Sequence, residues 1–261
     1  MSAAKPETVL ITGASSGIGL ELARCFAADG SRLVLIARTT SALDKLAGEL
    51  RRDYNVEAIV LTADLSLPET PKKIYSELKG RGIVMDILVN NAGFGAHGMF
   101  SELPLQRQLE MIQVNVIALT ELTGLFLPGM VERRLGGVLN VASVAGFVPG
   151  PGMAVYYATK AFVLSFTEAL AGELGGTGIK IMALCPGPTE TNFGNIAHVK
   201  DARLVRVTRM SAKEVALQGH RAFRAGRAVV VSGWRNRLLV LLARLMPRLL
   251  VRNIVKKFNG F

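Results

Sequence analysis

Short apolar segments alternate with longer stretches of helical periodicity along most of the chain. The apolar runs predict strands at residues 9–12, 32–37, 58–62, 87–90, 137–142, 180–185 and 227–231. Between them, apolar residues at helical spacing predict helices at 18–28, 41–54, 68–79, 105–132, 156–173 and 211–224. Strands that are apolar on both faces and separated by helices are typical of a parallel sheet. The pattern therefore predicts an α/β fold with a doubly wound parallel sheet of about seven strands and helices on both faces.

Composition and length favour one large domain over several. The chain has 261 residues, of which 50% are hydrophobic and 20% charged, and no linker divides it. We expect one domain at residues 1–233 and a basic amphipathic helical extension at 234–261. The start of the chain lacks a basic segment followed by an apolar one, and no apolar run approaches the ~20 residues of a membrane span. The expected localisation is cytoplasmic, with peripheral membrane association as an open possibility.

The scattered cysteines and histidines argue against a metal site. Cys25 and Cys185 are far apart, as are His97, His198 and His220, and none of these residues has metal-ligand spacing. Two reduced, mostly buried thiols are the simpler interpretation. We therefore expect no metal.

A glycine-rich turn follows the first predicted strand and opens the first predicted helix. Its sequence, residues 12–19, has the spacing G-x-x-x-G-x-G, with Gly13, Gly17 and Gly19 as the glycines. Such a turn allows close approach of the backbone to a pyrophosphate, and the N-terminus of the helix offers N–H groups to the phosphates. The turn predicts a Rossmann-like dinucleotide site that includes Gly13, Ser15, Ser16, Gly17, Ile18 and Gly19. The alternative is a turn with no ligand.

The end of the second predicted strand bears on the choice of cofactor. Enzymes that prefer NAD usually place an acidic residue there to bind the ribose 2′-hydroxyl. This chain has Ala37 at that position, and Arg38 follows. A guanidinium can bind a 2′-phosphate through two charge-assisted hydrogen bonds. We therefore expect NADP, with NAD less favoured; a solvated surface arginine is the alternative.

Three polar residues near the fifth strand and the helix after it form a candidate catalytic set. Tyr156 and Lys160 are four residues apart on the predicted helix 156–173 and share one face. A nearby ammonium favours the phenolate, so we expect Lys160 to lower the pKa of Tyr156. Ser143 follows the fifth strand, where its hydroxyl could polarise a substrate carbonyl. Separately, these residues could be a capping serine and a surface Tyr–Lys pair.

The order and spacing of these motifs resemble the short-chain dehydrogenase/reductase family. The resemblance covers roughly residues 6 to 195 and includes the glycine turn, the Asn-Asn-Ala-Gly segment at 90–93, and the Ser143, Tyr156 and Lys160 set. It also includes Asn115, which in the family orders a water that relays protons to the lysine. The family's further cofactor contacts correspond here to Asp64, Asn91, Ala92, Gly93, Tyr156, Lys160, Pro186, Gly187, Thr189 and Thr191. Asp64 could equally be a turn or capping residue, and Thr191 is favoured over Thr189 for the carboxamide.

The resemblance implies an NADP-dependent oxidoreductase that interconverts a carbonyl and an alcohol through Ser143, Tyr156 and Lys160. The substrate loops are expected at 94–100, 147–153 and 192–210; the first two are apolar, with His97 as their only titratable residue. This favours a lipophilic substrate, steroid-like or with an acyl chain. The alternative class is a non-catalytic nucleotide sensor or interaction protein on the same fold. A homodimer or homotetramer through helices 105–132 and 156–173 is also implied.

Charge is concentrated in the last quarter of the chain. Residues 198–261 contain 15 Lys and Arg and two Asp and Glu, and the final 28 residues contain seven cations and no acids. Cations alternate with leucines at helical spacing, and Pro247 is expected to divide this segment into two helices. A basic amphipathic pair is typical of binding to an anionic membrane surface. Packing against the domain or a second subunit is equally open, and nucleic acid is not expected because no binding motif is present.

Overall fold

The computed structural model describes residues 6–190 and 208–260. A seven-stranded sheet, parallel throughout, forms the centre, with its strands in the order β3 (58–62), β2 (32–37), β1 (8–12), β4 (87–90), β5 (137–141), β6 (180–185) and β9 (229–231). The order reverses direction between β1 and β4, so the crossover helices cover both faces of the sheet. The predicted doubly wound fold is confirmed.

The strands of the central sheet are β1 Thr8–Thr12, β2 Arg32–Ala37, β3 Ala58–Thr62, β4 Ile87–Asn90, β5 Gly137–Val141, β6 Lys180–Cys185 and β9 Val229–Val231. Six of them agree with the predicted strands to within one residue. The last begins at Val229 instead of Arg227, because Arg227 and Ala228 are exposed and the paired register with β6 starts at Val229. Ala228 contributes only its carbonyl, which accepts a hydrogen bond from Ala183 N at 2.8 Å. The sequence did not predict the short parallel pair β7 Thr189–Glu190 and β8 Met210–Ser211.

The helices are α1 Gly17–Ala28, α2 Thr40–Tyr54, α3 Thr70–Gly80, α4 Leu105–Ile112, α5 Leu119–Arg133, α6 Ala154–Glu173, α7 Ala212–Arg224, α8 Trp234–Leu245 and α9 Arg248–Phe258. A π-helical segment, Gln113–Ala118, joins α4 to α5. The predicted helix 105–132 is confirmed as one continuous helical stretch, but its middle has π turns, which apolar periodicity does not distinguish from α turns. A capping box of Ser211 and Glu214 begins α7, and Pro247 separates α8 from α9 as predicted.

The two faces of the sheet bury separate apolar cores. One lies under α1, α2 and α7 and contains Phe26 and Phe223, whose rings meet edge to face. The other lies under α3, α5 and the far end of α6, with Leu122 and Phe126 in it. Burial on both faces explains why the strands are almost continuously apolar.

The helical stretch Leu105–Arg133 is, among the described residues, long and apolar enough to cross a membrane by length and composition, with a hydropathy of 1.6. The expectation that no such stretch exists is therefore wrong by that criterion. Leu122, Phe126 and Met130 pack against the sheet, and 44% of the most apolar 18-residue part of the helix is buried. This packing accounts for much of its apolar composition.

A buried chain of amides and hydroxyls ties the middle of the sheet to the helices behind it. Asn90 on β4 donates to Asn140 Oδ1 at 2.9 Å and to Thr123 Oγ1 at 3.0 Å. Asn140 in turn donates to Thr167 Oγ1 on α6 at 2.9 Å. All four residues are at most 3% exposed, so these hydrogen bonds form in a medium with little competing water. They hold β4, β5, α5 and α6 in the register that positions the site.

Candidate active site

The glycine turn forms a narrow cradle at the start of α1. Gly13 and Gly17 have φ of 65° and 57°, values that favour glycine. Asn91 lies behind the turn and donates from Nδ2 to the carbonyls of Thr12 at 2.9 Å and Gly13 at 3.2 Å. A Cβ on Gly13 would lie 2.9 Å from that nitrogen, so a side chain is excluded. The cradle and the helix N-terminus suit the pyrophosphate of a dinucleotide.

A cleft of about 930 Å³ runs along the carboxyl edge of the sheet. It brings together most of the residues predicted for a cofactor and for catalysis. Those lining it are Gly13, Ser15, Ser16, Gly17, Ile18, Arg38, Asp64, Asn91, Ala92, Gly93, Ser143, Tyr156, Lys160, Pro186, Gly187 and Thr189. Gly19 and Asn115 lie outside this lining, and Thr191 lies outside the described residues.

Gly19 and Asp64 have structural roles of their own. A Cβ on Gly19 would lie 2.5 Å from the carbonyl oxygen of Gly13, so this glycine allows α1 to pack against the turn. Asp64 Oδ1 accepts a hydrogen bond from Ser66 N at 2.9 Å, which is the turn role left open by the sequence. Asp64 also faces the cleft, so its turn role and a cofactor contact are compatible.

Lys160 and Tyr156 are buried side by side on α6. Lys160 is 6% exposed and donates from Nζ to the carbonyl oxygen of Val141 at 2.8 Å. Its ammonium lies 6.0 Å from the centre of the Tyr156 ring. Burial lowers the pKa of Lys160 to about 8, because the charged form loses its hydration.

The Tyr156 phenol does not have the lowered pKa expected from its lysine neighbour. Burial raises the pKa of Tyr156 to about 12, and a hydrogen bond with Ser143 offsets only part of this effect. The reason is that loss of water penalises the phenolate more than the protein's own polar groups stabilise it. In the protein alone, Tyr156 is therefore a neutral hydrogen-bond and proton donor at neutral pH.

Ser143 follows β5 and is directed into the cleft by two backbone contacts. Its Oγ accepts from Ala145 N at 3.1 Å, which caps the short 3₁₀ helix Val144–Phe147, and donates to the Pro186 carbonyl at 3.4 Å. The capping alternative is thus correct, and it places the same hydroxyl beside Tyr156. Ser143 and Tyr156 together can hold one carbonyl oxygen.

Asn115 lies in the π-helical segment and supports the site from behind. Its side chain pairs with the backbone of Phe94, accepting from N at 3.1 Å and donating to O at 3.0 Å. Nδ2 also donates to Thr159 Oγ1 on α6 at 3.1 Å. A Cβ on Gly93 would lie 2.9 Å from Asn115 Oδ1 and 3.4 Å from Lys160 Nζ. Both side chains therefore approach the same side of Gly93, where only a glycine fits.

The substrate side of the cleft is only partly as predicted. From the expected loops, the lining residues are Phe94, Phe147, Val148, Met153, Thr208 and Arg209, while Met99 and Phe100 are exposed and lie outside the lining. Residues 191–207 lie outside the described part of the chain. The sequence missed the charged pair Arg107 and Glu110 in the lining; Arg107 lies over the Phe94 ring at 3.9 Å.

The C-terminal helices form an apolar wall of the cleft, which sequence reasoning also missed. The lining residues from this segment are Asn236, Leu239, Val240, Leu242, Ala243, Met246, Val251, Ile254, Val255, Phe258 and Asn259. Asn236, Val240, Val251 and Asn259 are buried, so packing against the domain, one of the two alternatives, takes place. The apolar periodicity of α8 and α9 was visible in the sequence, but not the surface that it would cover.

The sheet, the glycine cradle and the cleft at the switch in strand order define a dinucleotide-binding protein of Rossmann type. Residues 7–200 match the profile of the family described as short chain dehydrogenase. The chain belongs to that family, whose members bind NAD or NADP. This confirms the resemblance drawn from the motifs.

Similar proteins include a very-long-chain 3-oxoacyl-CoA reductase from Phaeosphaeria nodorum, 37% identical over 67% of this chain and 52% of the relative. A short-chain dehydrogenase from Sphingobium yanoikuyae, solved with NADPH, is 35% identical, with a TM-score of 0.81 over 91% of this chain and 93% of that one. A family member from Burkholderia phymatum, solved with NAD, is 27% identical, with a TM-score of 0.81 over 93% and 94%. The chain spans about half to three fifths of the length of the curated relatives that it matches.

The depressed pKa of Lys160 gives a prediction about stability. Above about pH 8 the folded protein releases the Lys160 proton, while the unfolded chain keeps its proton to about pH 10. The unfolded state then binds more protons, so stability rises with pH in this window. The free energy of unfolding of the wild type should rise relative to that of Lys160→Met, by at most about 1.4 kcal/mol per pH unit. Urea titrations of the protein without cofactor measure this difference.

The exposed Lys73→Met variant is the matched control, since its ammonium is already in water. Its stability profile should run parallel to that of the wild type from pH 8 to pH 10. A Lys160→Met profile that also runs parallel to the wild type would show that Lys160 is fully charged in the fold.

Proposed function

We propose that this protein is an NADP(H)-dependent oxidoreductase that interconverts a carbonyl and an alcohol on a lipophilic substrate. The observation that carries the proposal is the arrangement of Ser143, Tyr156 and Lys160 at the meeting point of the glycine-rich part of the cleft and its apolar part. A dinucleotide in the cradle and an apolar carbonyl compound would both reach this point. NADP(H), when bound, supplies or accepts the hydride.

The residues of the chain supply the proton and the orientation. In reduction, Ser143 and Tyr156 donate hydrogen bonds to the carbonyl oxygen, and Tyr156 transfers its proton to that oxygen as general acid. A phenol with a pKa of about 12 is protonated at neutral pH, which suits reduction. Lys160, held by Val141 O, places a positive charge beside the phenol that stabilises the phenolate left behind. Asn115 holds the Phe94 loop against α6 through its hydrogen bonds with Phe94 and Thr159.

A nucleotide sensor without catalysis is the competing proposal. Such a protein needs the cradle but not a phenol and an ammonium buried at the mouth of an apolar chamber. Burying Lys160 and Tyr156 disfavours their ionised forms, a cost that nucleotide sensing alone does not require. We therefore favour the enzyme.

The walls of the cleft favour a long or bulky apolar substrate. Phe94, Phe147 and Met153 line the cleft from the loops, and leucines and valines line it from α8 and α9. The similarity to a protein named very-long-chain 3-oxoacyl-CoA reductase supports an acyl chain in particular. Arg107 in the lining is charged, but Glu110 lies 3.5 Å away and offsets that charge.

This proposal predicts NADPH-dependent ketone reduction that improves with substrate length. The full chain should consume NADPH with methyl alkyl ketones, and kcat/KM should rise from methyl ethyl ketone to methyl octyl ketone, because each buried methylene contributes about 0.8 kcal/mol. Loss of NADPH absorbance measures the rate. No turnover with any ketone of the series, or with the matching alcohols and NADP, would contradict the enzyme proposal.

The phenol assignment is part of the same test. Tyr156→Phe should bind NADPH normally and lose on the order of 10²–10⁴ in kcat. Tyr157→Phe should retain most of kcat for the shortest ketone, because its hydroxyl contacts the C-terminal segment instead. Retained kcat in Tyr156→Phe together with lost kcat in Tyr157→Phe would assign the general-acid role to Tyr157.

We propose NADP over NAD because of the end of β2. Ala37 is buried and offers no carboxylate, while Arg38 is exposed at the edge of the cleft. A 2′-phosphate beside this guanidinium would gain charge-assisted hydrogen bonds. The NADPH complex of the Sphingobium yanoikuyae relative supports this choice, whereas the NAD complex of the Burkholderia phymatum relative shows that the family includes both cofactors.

Arg38→Asp should weaken NADPH binding about 10- to 100-fold and leave NADH binding unchanged or stronger, since hydrogen bonds to a charged group contribute about 1.5–3 kcal/mol. Fluorescence titration of both dinucleotides gives the two Kd values. Lys45→Asp on the exposed side of α2 makes the same change in charge away from the cleft and is the control. Equal affinities of the wild type for NADPH and NADH would contradict the proposed preference for NADP.

We further propose that the outer face of the C-terminal segment binds an anionic membrane surface, so that a cytoplasmic protein associates with it peripherally. Trp234, Leu238, Leu241 and Leu245 form a stripe on α8 that is 48 to 75% exposed. Seven cations and no acids accompany it between residues 234 and 261. A surface that combines apolar and basic side chains matches the interface of an anionic bilayer.

A homo-oligomer through α4, α5 and α6 is proposed separately. Leu105 and Leu109 on α4, Ile117 on the π-helical segment and Phe162 on α6 are 40 to 63% exposed, so the C-terminal segment does not cover them. Apolar exposure of this kind on neighbouring helices is typical of a subunit interface.

Membrane binding by the α8 stripe should be reversible and sensitive to salt. The protein should sediment with vesicles containing phosphatidylglycerol at low salt, and less at high salt. The double variant Leu241→Glu and Leu245→Glu should lower binding about tenfold or more, since burying one leucine contributes about 1.5–3 kcal/mol. The control is the double variant Leu67→Glu and Leu135→Glu, which changes two exposed leucines outside the C-terminal segment. Equal sedimentation of both double variants would contradict the proposal.

A further inference from the structure

The last described turn of the chain carries a buried asparagine with contacts to three other segments. Asn259, directly after α9, is 5% exposed. Its Nδ2 donates to the Pro151 carbonyl at 2.8 Å, and its Oδ1 accepts from the Tyr157 hydroxyl at 3.4 Å. Its own carbonyl accepts from His97 Nε2 at 2.7 Å. A polar side chain this buried and this fully paired specifies one position for the segment that carries it.

These contacts converge where the two substrate loops meet. Gly98 N donates to the Gly152 carbonyl at 2.8 Å, which joins the loop after β4 to the loop before α6. His97 and Pro151 are the residues immediately before these two glycines. Asn259 therefore binds both loops of the junction at once and holds the segment after α9 against them.

The same residue is connected to the catalytic tyrosine through its neighbour. The Tyr157 ring meets the Tyr156 ring edge to face, with centroids 6.1 Å apart and an interplanar angle of 81°. Tyr157 also packs so closely on Gly150 that a Cβ there would collide with its ring. The Tyr157 hydroxyl, which donates to Asn259, thus belongs to a ring held between the substrate loop and Tyr156.

Little else buries α9. Within Arg248–Phe258, Val251 is buried and every other residue is partly or fully exposed. Yet Val251, Ile254, Val255 and Phe258 of this helix line the apolar part of the cleft. The position of this wall relative to Tyr156 thus depends heavily on the contacts of Asn259.

We propose that Asn259 is a positioning residue that sets selectivity for long apolar substrates by holding α9 as the wall of the substrate chamber. This inference rests on the proposed ketone reductase function. A short ketone fills only the space beside Ser143 and Tyr156 and does not need the wall. A long chain extends along Val251, Ile254 and Phe258 and loses its apolar contacts if α9 moves away.

The kinetic test compares Asn259→Ala with the wild type on two ketones. For methyl octyl ketone, kcat/KM should fall about tenfold or more, mainly through KM, since two buried hydrogen bonds are lost. For methyl ethyl ketone it should change less than about threefold. Tyr157→Phe removes one of the contacts and should give a smaller shift in the same direction. Asn253→Ala, an exposed position on the same helix, is the matched control and should behave as the wild type.

Hydrogen–deuterium exchange tests the positioning role without any turnover. In Asn259→Ala, amides of α9 and of residues 147–153 should exchange faster, while those of α1, which Asn259 does not contact, keep their wild-type rates. Unchanged exchange in α9, or equal losses of kcat/KM on both ketones, would overturn the proposal. If the wild type reduces no ketone, the proposed function fails, and the exchange result still decides whether Asn259 holds the wall.

Discussion

The burial of one lysine is the constraint on which the site depends. Lys160 Nζ has lost most of its water and donates to the Val141 carbonyl at the end of β5. Such a group is tolerated only where the surrounding backbone is fixed, because an ammonium without partners would be costly to bury. The buried bonds from Asn90 to Asn140 and from Asn140 to Thr167 provide that fixed frame, since they join β4, β5 and α6.

The same frame explains the properties of the phenol. α6 places Tyr156 one turn from Lys160, but both side chains face an interior that penalises charge, so the pKa values move in opposite directions, to about 12 and about 8. At neutral pH the phenol is therefore protonated, whereas the ammonium, whose pKa of about 8 still lies above that pH, remains mostly charged. A protonated phenol beside a positive charge favours proton donation by Tyr156, which agrees with carbonyl reduction as the proposed direction.

The C-terminal segment has two faces with different environments. Its inner face, through Val240, Val251 and Asn259, is buried against the domain and completes the cleft. Its outer face keeps Leu241 and Leu245 in contact with water. The membrane and packing interpretations of the segment are therefore not exclusive. One helix pair can close the chamber on one side and present an apolar, basic surface on the other.

The sequence by itself determined the sheet and the glycine cradle and predicted the proposed catalytic set, because each depends on local pattern: apolar runs, a glycine turn, and a Tyr–Lys spacing of one helical turn. Three features depended on tertiary structure. The sign of the Tyr156 pKa shift depends on burial by the packed elements. The π turn that carries Asn115 depends on its fit to Phe94 and Thr159. The proposed role of Asn259 depends on segments more than 100 residues distant. Spacing along a chain specifies neighbours within an element, whereas desolvation and long-range contacts exist only once the elements have packed.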